Sequence, residues 1–325
     1  MTTIGEISES VDGLRAMDRL HLDGELGARL RVYLWAPGTV SLEEACAHRE
    51  WLDFKTPEEL LRVHGVKMFA DGGYSAASAA VKQPYVNDDH AGHHHCGEVA
   101  LSPGQIGEAL RRTAEEACSS PSTPTATAHR KRSVRPSPPR AAPRRGARSP
   151  RRACRQLPSG PGGDRAVAQG GHHPRPAAGL PLHLRRLLPR LPRRLRPLGR
   201  FPFRRLLDEG WPITGSSDVW IGSEERATNP FFSIWCTLRR RSFLGEILDA
   251  EQEITLAEAL RMHTVNAART LGEGDRYGSL EAGKYADVIV LDRDPFACSV
   301  DELLDVRVDE VYLAGRLVHE AAPIR

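Results

Sequence analysis

The sequence has no apolar run long enough to cross a bilayer, and Met1-Thr-Thr-Ile lacks the basic and apolar regions of a signal peptide. A cytoplasmic protein with no membrane partner is therefore expected. Cysteine is sparse: six residues without paired spacing, which argues against a disulfide scaffold and for a reducing compartment. No internal repeat is visible, which excludes a solenoid.

The deepest shortage is local. Net charge over the 325 residues is only +3, yet Cys118 to Arg200 holds 20 basic residues against a single acid, Asp164. The same tract contains 15 of the 24 prolines and no Phe, Tyr or Trp. A stretch so composed has little with which to build a core. It would bind polyanions nonspecifically and with strong salt dependence, but it lacks aromatic side chains to stack on bases. A nucleic-acid or anionic-surface binding arm is the functional alternative for it.

The flanks are different. In residues 1–117, strands are expected at Thr2 to Ile7 and Leu30 to Trp35, and a helix at Val11 to Leu22 with Leu14, Met17 and Leu20 along one side. Ser41 with Glu44 forms a capping box for a helix through Leu52, and Thr56-Pro57 with Glu59 predicts another, ending at Gly65. Val66 to Gly72 reads as a strand, and Ser102-Pro103 with Gln105 opens a helix to Ala117. Alternation of strand and helix argues for a parallel sheet or barrel. Lys67, inside an apolar strand, must be neutralised, paired or led out to solvent. A snorkelling Lys at a strand end is the plain alternative. His90, His93, His94, His95 and Cys96 are dense in metal-type donors. Their spacing fits no structural zinc pattern, so a solvated loop near a pocket mouth is expected, with adventitious metal binding as the alternative.

From Phe201, a helix to Gly210 is followed by a short buried strand at Ile213-Thr214 and then Gly215-Ser216-Ser217-Asp218. An Asp emerging at the carboxyl end of a barrel strand is a catalytic candidate; it could equally be the N-cap of the next helix. Thr255 and Glu258 cap a helix running to Gly272, with Leu256, Ala259, Leu260 and Met262 on its apolar side. Ala286 to Leu291 is a strand, Val300 to Leu304 a short helix, and VDEVYLAGRLVHE a hairpin turning at Ala314-Gly315.

Strand-end GSD, a helix carrying TVNAA, then GSLEAGKYADVIVLD and a closing hairpin together resemble the C-terminal third of the amidohydrolase superfamily. The branch is the one similar to N-substituted formamide deformylases. VKMFADG likewise resembles the K-x-F-x-D-G strand of that branch. The resemblance implies an α/β fold: an incomplete (β/α)8 TIM-type metallohydrolase barrel with a C-terminal remnant of a small β-sandwich. It divides the chain into barrel (1–117), the Arg/Pro-rich tract (118–200), barrel (201–276) and sandwich portion (277–325). It implies a divalent metal, zinc by family habit, held through a carboxylated Lys67 and through Asp218. Asp218 would also be the catalytic carboxylate, and the substrate a small-molecule amide or formamide.

The family's remaining ligands are an H-x-H pair on the first strand, a His in H-A-x-G-D-x-A on the fifth and a His on the sixth. None has a counterpart at a plausible strand end; His172 and His173 are not credible substitutes. The chain therefore reads as beginning near the second strand. Synonymous codons for Cys118 to His129 can be chosen so that, from the third base, they read Gln-Leu-Ala-Val-His-Ala-Tyr-Gly-Asp-Arg-Ala, which contains the missing fifth-strand motif. Residues from about 118 to about 200 are thus expected to be translated out of frame. With two ligands where a catalytic zinc site has three plus water, little or no activity is expected. A non-catalytic pseudogene product and an Arg-rich polyanion binder are the alternatives.

Overall fold

A computed structural model describes residues 1–72, 78–80, 96–119, 202–217, 219, 226–241, 247 and 249–322. The expected metal-type cluster His90, His93, His94 and His95 lies outside them, as do His129, His172, His173 and Asp218.

Three parallel strands form the first sheet, in the order β1 (Thr3–Ser8), β2 (Arg29–Trp35), β3 (Leu61–Lys67). β2 alternates strictly: Leu30, Val32 and Leu34 turn to one face and are buried with Leu14 of helix α1 (Val11–Leu22) and Ala45 of α2 (Leu42–Cys46). Leu14, Val32, Leu34 and Leu61 are fully buried, and each contributes about 1.5–3 kcal/mol of hydrophobic stabilisation. The helices cover this outer face. Arg29, Arg31, Tyr33 and Trp35 share the opposite, inner face, where the register sets Arg62 beside Arg31, Gly65 beside Tyr33 and Lys67 beside Trp35. A register shift between Val32 and Tyr33 leaves one residue of β3 unpaired and keeps Lys67 on that inner face.

The structure corrects three readings here. Thr56 to Gly65 is not a helix: after one turn at Pro57 the chain enters β3 at Leu61. The capping residues can start a turn, but Val63 and Val66 pair with β2 on a pleated surface, and that pairing decides. The strand expected at Val66 to Gly72 accordingly ends at Lys67. The capping box at Ser41 and Glu44 is present, yet the helix stops at Cys46 and a second one-turn helix, α3, covers His48–Trp51. Helix α4 (Pro103–Ser119) packs against α2.

The second part begins with α5 (Phe203–Asp208), whose Phe203 and Leu206 are buried against Ile213, Ile234 of α6 (Pro230–Arg239) and Met262. Residues 211–217 form no strand, contrary to expectation at Ile213-Thr214, although both are buried. The helix expected from Thr255 to Gly272 is two: α7 (Leu256–Met262) and α8 (Val265–Thr270), broken at Thr264 with φ −126° and ψ −100°. Its capping box is intact, the Glu258 amide donating to the Thr255 hydroxyl and the Thr255 amide to the Glu258 carboxylate at 2.8 Å. We expect Thr255→Ala to lower stability by about 1 kcal/mol, read as a shifted urea midpoint at unchanged slope. An unshifted midpoint would show that tertiary packing alone holds α7.

β4 (Val288–Leu291), β5 (Val308–Leu313) and β6 (Arg316–Glu320) make an antiparallel sheet with β5 central. Its hairpin turns where expected: Ala314 and Gly315 both take positive φ, 51° and 80°, which a two-residue turn of this hand requires. The short helix expected at Val300 to Leu304 is a 3-10 turn over Glu302–Asp305.

The two parts meet through charge. Arg31 and Glu273 are almost wholly buried, at 0% and 1% exposure. Arg31 Nε and Nη2 donate to the two Glu273 oxygens at 2.8 and 3.1 Å. Arg62 reaches the same carboxylate at 2.9 Å and Arg276 at 3.3 Å, and the Tyr277 hydroxyl donates to it as well. Beside them, Arg29 makes a two-pronged pair with Asp287 and lies 5.1 Å from the ring centroids of both Tyr277 and Tyr285.

Candidate active site

Lys67, expected inside a strand over Val66 to Gly72, is instead the last residue of β3, at the carboxyl end of a parallel strand and on the inner face. Its carbonyl accepts from the Ala36 amide at 3.0 Å, which fixes the strand end against β2. Its ammonium sits 4.5 Å over the Phe69 ring. That ring meets Trp35 edge-on at 5.4 Å, and His64 meets Tyr33 in the same way at 5.4 Å. The ammonium thus lies over the face of Phe69, whose quadrupole attracts positive charge. The following Asp71 is structural: its carboxylate accepts from the Ala80 amide at 3.0 Å, and its backbone bridges Val99. Gly72 lies so close to Ser78 that an added Cβ would stand 2.2 Å from its hydroxyl oxygen, so no larger residue fits this turn.

The segment leading to Asp218 is held from below by the α7–α8 pair. The Gly215 amide donates to the Met262 carbonyl at 3.1 Å, and the Asn266 amide donates to the Ile213 carbonyl at 3.1 Å. His263, at the break between the helices, lies against Gly215; a Cβ there would be 2.3 Å from Nε2. Desolvation of this imidazole lowers its pKa to about 4, so it is neutral at pH 7. Thr214 is buried with its hydroxyl unpartnered. Sequence reading passed over His263 and Asn266. The TVNAA motif contains Asn266, but only the fold shows which carbonyl it reaches.

Cys96 is disulfide-bonded, so its thiol is not a metal donor, while Cys46, Cys236 and Cys298 form no disulfide. The disulfide at Cys96 departs from the reducing compartment expected from the cysteine spacing. Burial pushes the Cys236 thiol up to about 12, which makes it inert at neutral pH. Among the described residues, no three His, Cys, Asp or Glu side chains converge as a metal ligand set. Lys67 itself faces Phe69 as a cation. The described residues therefore do not by themselves fit a divalent ion. No described helix is long and apolar enough to cross a membrane.

Comparison with known proteins bears on this arrangement. Residues 165–319 match the model of the amidohydrolase family, a span that starts inside the Arg/Pro-rich tract rather than at Phe201. An N-substituted formamide deformylase of Arthrobacter pascens is 38% identical over 120 residues, 37% of this chain and 21% of that protein. An imidazolonepropionase of Fusobacterium nucleatum is 30% identical over 117 residues, 36% of this chain and 25% of that protein. The chain thus spans about a fifth to a quarter of the curated relatives it matches. An uncharacterised metal-dependent hydrolase from Pyrococcus horikoshii superposes with a TM-score of 0.62 at 18% identity, over 93% of this chain and 58% of that one. The counterpart from Pyrococcus furiosus gives 0.59 at 19% identity, over 90% and 56%. These likenesses show a shared fold. Residues 165–319 are thus similar to the amidohydrolase family, and a 120-residue stretch of the chain to an N-substituted formamide deformylase.

Proposed function

We propose that the chain descends from a metal-dependent hydrolase of non-peptide C–N bonds in small amides or formamides, and that it has little or no activity as it stands. The single observation that carries the lineage is the family match over residues 165–319. The position of Lys67 at the carboxyl end of β3, where barrel hydrolases keep their chemistry, agrees with it. The full fold would be a TIM-type barrel with the antiparallel β4–β6 sheet as a portion of a small β-sandwich.

In the active ancestor a divalent metal, zinc by family habit, would supply Lewis acidity. Asp218 would take a proton from water and return it to the leaving nitrogen. Lys67 and Asp218 are two positions, and a catalytic zinc site needs three protein ligands besides water. Impairment follows from that shortfall, and we propose out-of-frame translation from about 118 to about 200 as its origin. The protein would be cytoplasmic.

Purified with zinc in the medium, the chain should carry well under one equivalent of metal by elemental analysis. It should hydrolyse an N-substituted formamide no faster than buffer does. A chain that carries the H-x-H strand and the corrected centre should instead hold stoichiometric metal and turn the formamide over. Stoichiometric zinc with turnover in the present chain would overturn the impairment. Sequencing the DNA across codons 118–205 and finding no pair of compensating shifts would remove the frame hypothesis.

The charge of the tract favours one second reading, an Arg-rich polyanion binder. RNA binding that weakens steeply with salt and disappears on deleting 118–200 would agree with it, and only sequence preference would make it a function rather than a consequence of charge.

A further inference from the structure

We infer that the inner face of β2 and β3 is a docking surface for the segment Glu273 to Asp287. This contact joins residues 1–117 to residues 201–325 independently of the chain that connects them. Three guanidinium groups, Arg29, Arg31 and Arg62, stand on one face of a three-stranded sheet. In water that would be a repulsive, strongly hydrated patch. Here Arg29 and Arg31 are nearly inaccessible, because one 15-residue stretch brings two carboxylates and two phenol rings onto them. Glu273 receives Arg31 and Arg62, and Asp287 receives Arg29. The ends of that stretch are tied to the rest of its own part. The Ala314 amide donates to Asp287 at 2.9 Å, and the Glu273 amide donates to the Ala268 carbonyl of α8 at 2.9 Å. The contact continues to β6, where Gly27 leaves only enough room for Val318, an added Cβ being 3.3 Å from the Val318 Cβ.

Such a surface is selective. A segment lacking either carboxylate would bury cations without partners, which is costly, so apolar or basic stretches are rejected. The partner that fits is an acidic segment with paired tyrosines, and the chain carries it. The consequence concerns assembly: the strand bearing Lys67 and the part bearing α7 and α8 are aligned by this contact, whatever the intervening tract encodes.

The test keeps the full chain. A site for a sequence-specific protease is inserted after Gly160, the protein is purified intact, then cut and passed over a sizing column at pH 7.5. Both fragments should elute together as one species. Cut E273Q should come apart, its fragment Kd about 100-fold weaker by dilution. Separate elution of the unsubstituted fragments would overturn the inference, as would cut E273Q that holds together like the original. Should intact E273Q fail to fold by circular dichroism, D287N carries the same comparison at the second ion pair.

Discussion

Glu273→Ala should destabilise the protein by about 3–5 kcal/mol, the usual consequence of removing one member of a buried ion cluster. The carboxylate is 1% exposed and is approached by Arg31, Arg62 and Arg276. Truncation leaves Arg31, itself 0% exposed, without its carboxylate partner. Water cannot take over that role without opening the contact between the two parts of the chain. The penalty arises from the unpaired charge rather than from any large intrinsic worth of the pair, so a double replacement makes the control. Arg31→Met with Glu273→Leu should lose much less than Glu273→Ala alone. Urea unfolding of the three proteins checks this, and equal losses for single and double replacement would refute the charge argument.

The same group carries a pH dependence. Burial alone would raise the Glu273 pKa. Hydrogen bonds from Arg31 and Tyr277 and the charges of Arg31 and Arg62 outweigh burial and hold it below the ordinary carboxylate range. A carboxylate depressed in the folded state contributes stability above its unfolded pKa of about 4.3, and loses it as pH falls through the folded value. Acid should therefore act on the contact between the two parts.

Lowering the pH from 6.5 to 4 should cost a further ~3 kcal/mol through His263 alone. Its folded pKa is lowered to about 4 by desolvation against the Gly215 backbone. An unfolded histidine titrates near 6.5, so between these values the unfolded chain binds a proton that the folded chain refuses. Above pH 6.5 both states are neutral and the effect vanishes. His263→Phe keeps a ring of similar breadth beneath Gly215 and removes the proton. Its stability should fall less steeply than that of the unsubstituted protein between pH 6.5 and 4, by about that same amount. Parallel curves would mean that the imidazole is hydrated.

Much of the local structure was legible. Helix α1 begins and ends at the expected residues because Ser10 caps it and a single apolar side runs along it. The hairpin at Ala314-Gly315 was legible because few dipeptides take positive φ at both positions. The capping boxes at Ser41 and Thr255 were legible for the same local reason, a side chain within reach of its own backbone. What failed was length and pairing. Thr56 to Gly65 has helix-starting chemistry, but β2 offered Leu61 to Lys67 a strand partner 31 or 32 residues away in sequence. The long helix from Thr255 broke at His263-Thr264, where the chain turns to place Asn266 under Ile213.

Of the candidate site, the sequence by itself determined the residue types: a lysine at a strand end, a Gly-Ser-Ser-Asp exit, and a motif order that belongs to the amidohydrolases. Those are set by nearest neighbours and by descent. The tertiary structure alone decided that Lys67 lies over Phe69, that His263 lies against Gly215, and that Arg29, Arg31 and Arg62 meet Glu273 and Asp287. The last of these is a balance between desolvation and partners far along the chain. A charge in the sequence carries no mark of which distant group will compensate it, so only the packed chain can strike that balance.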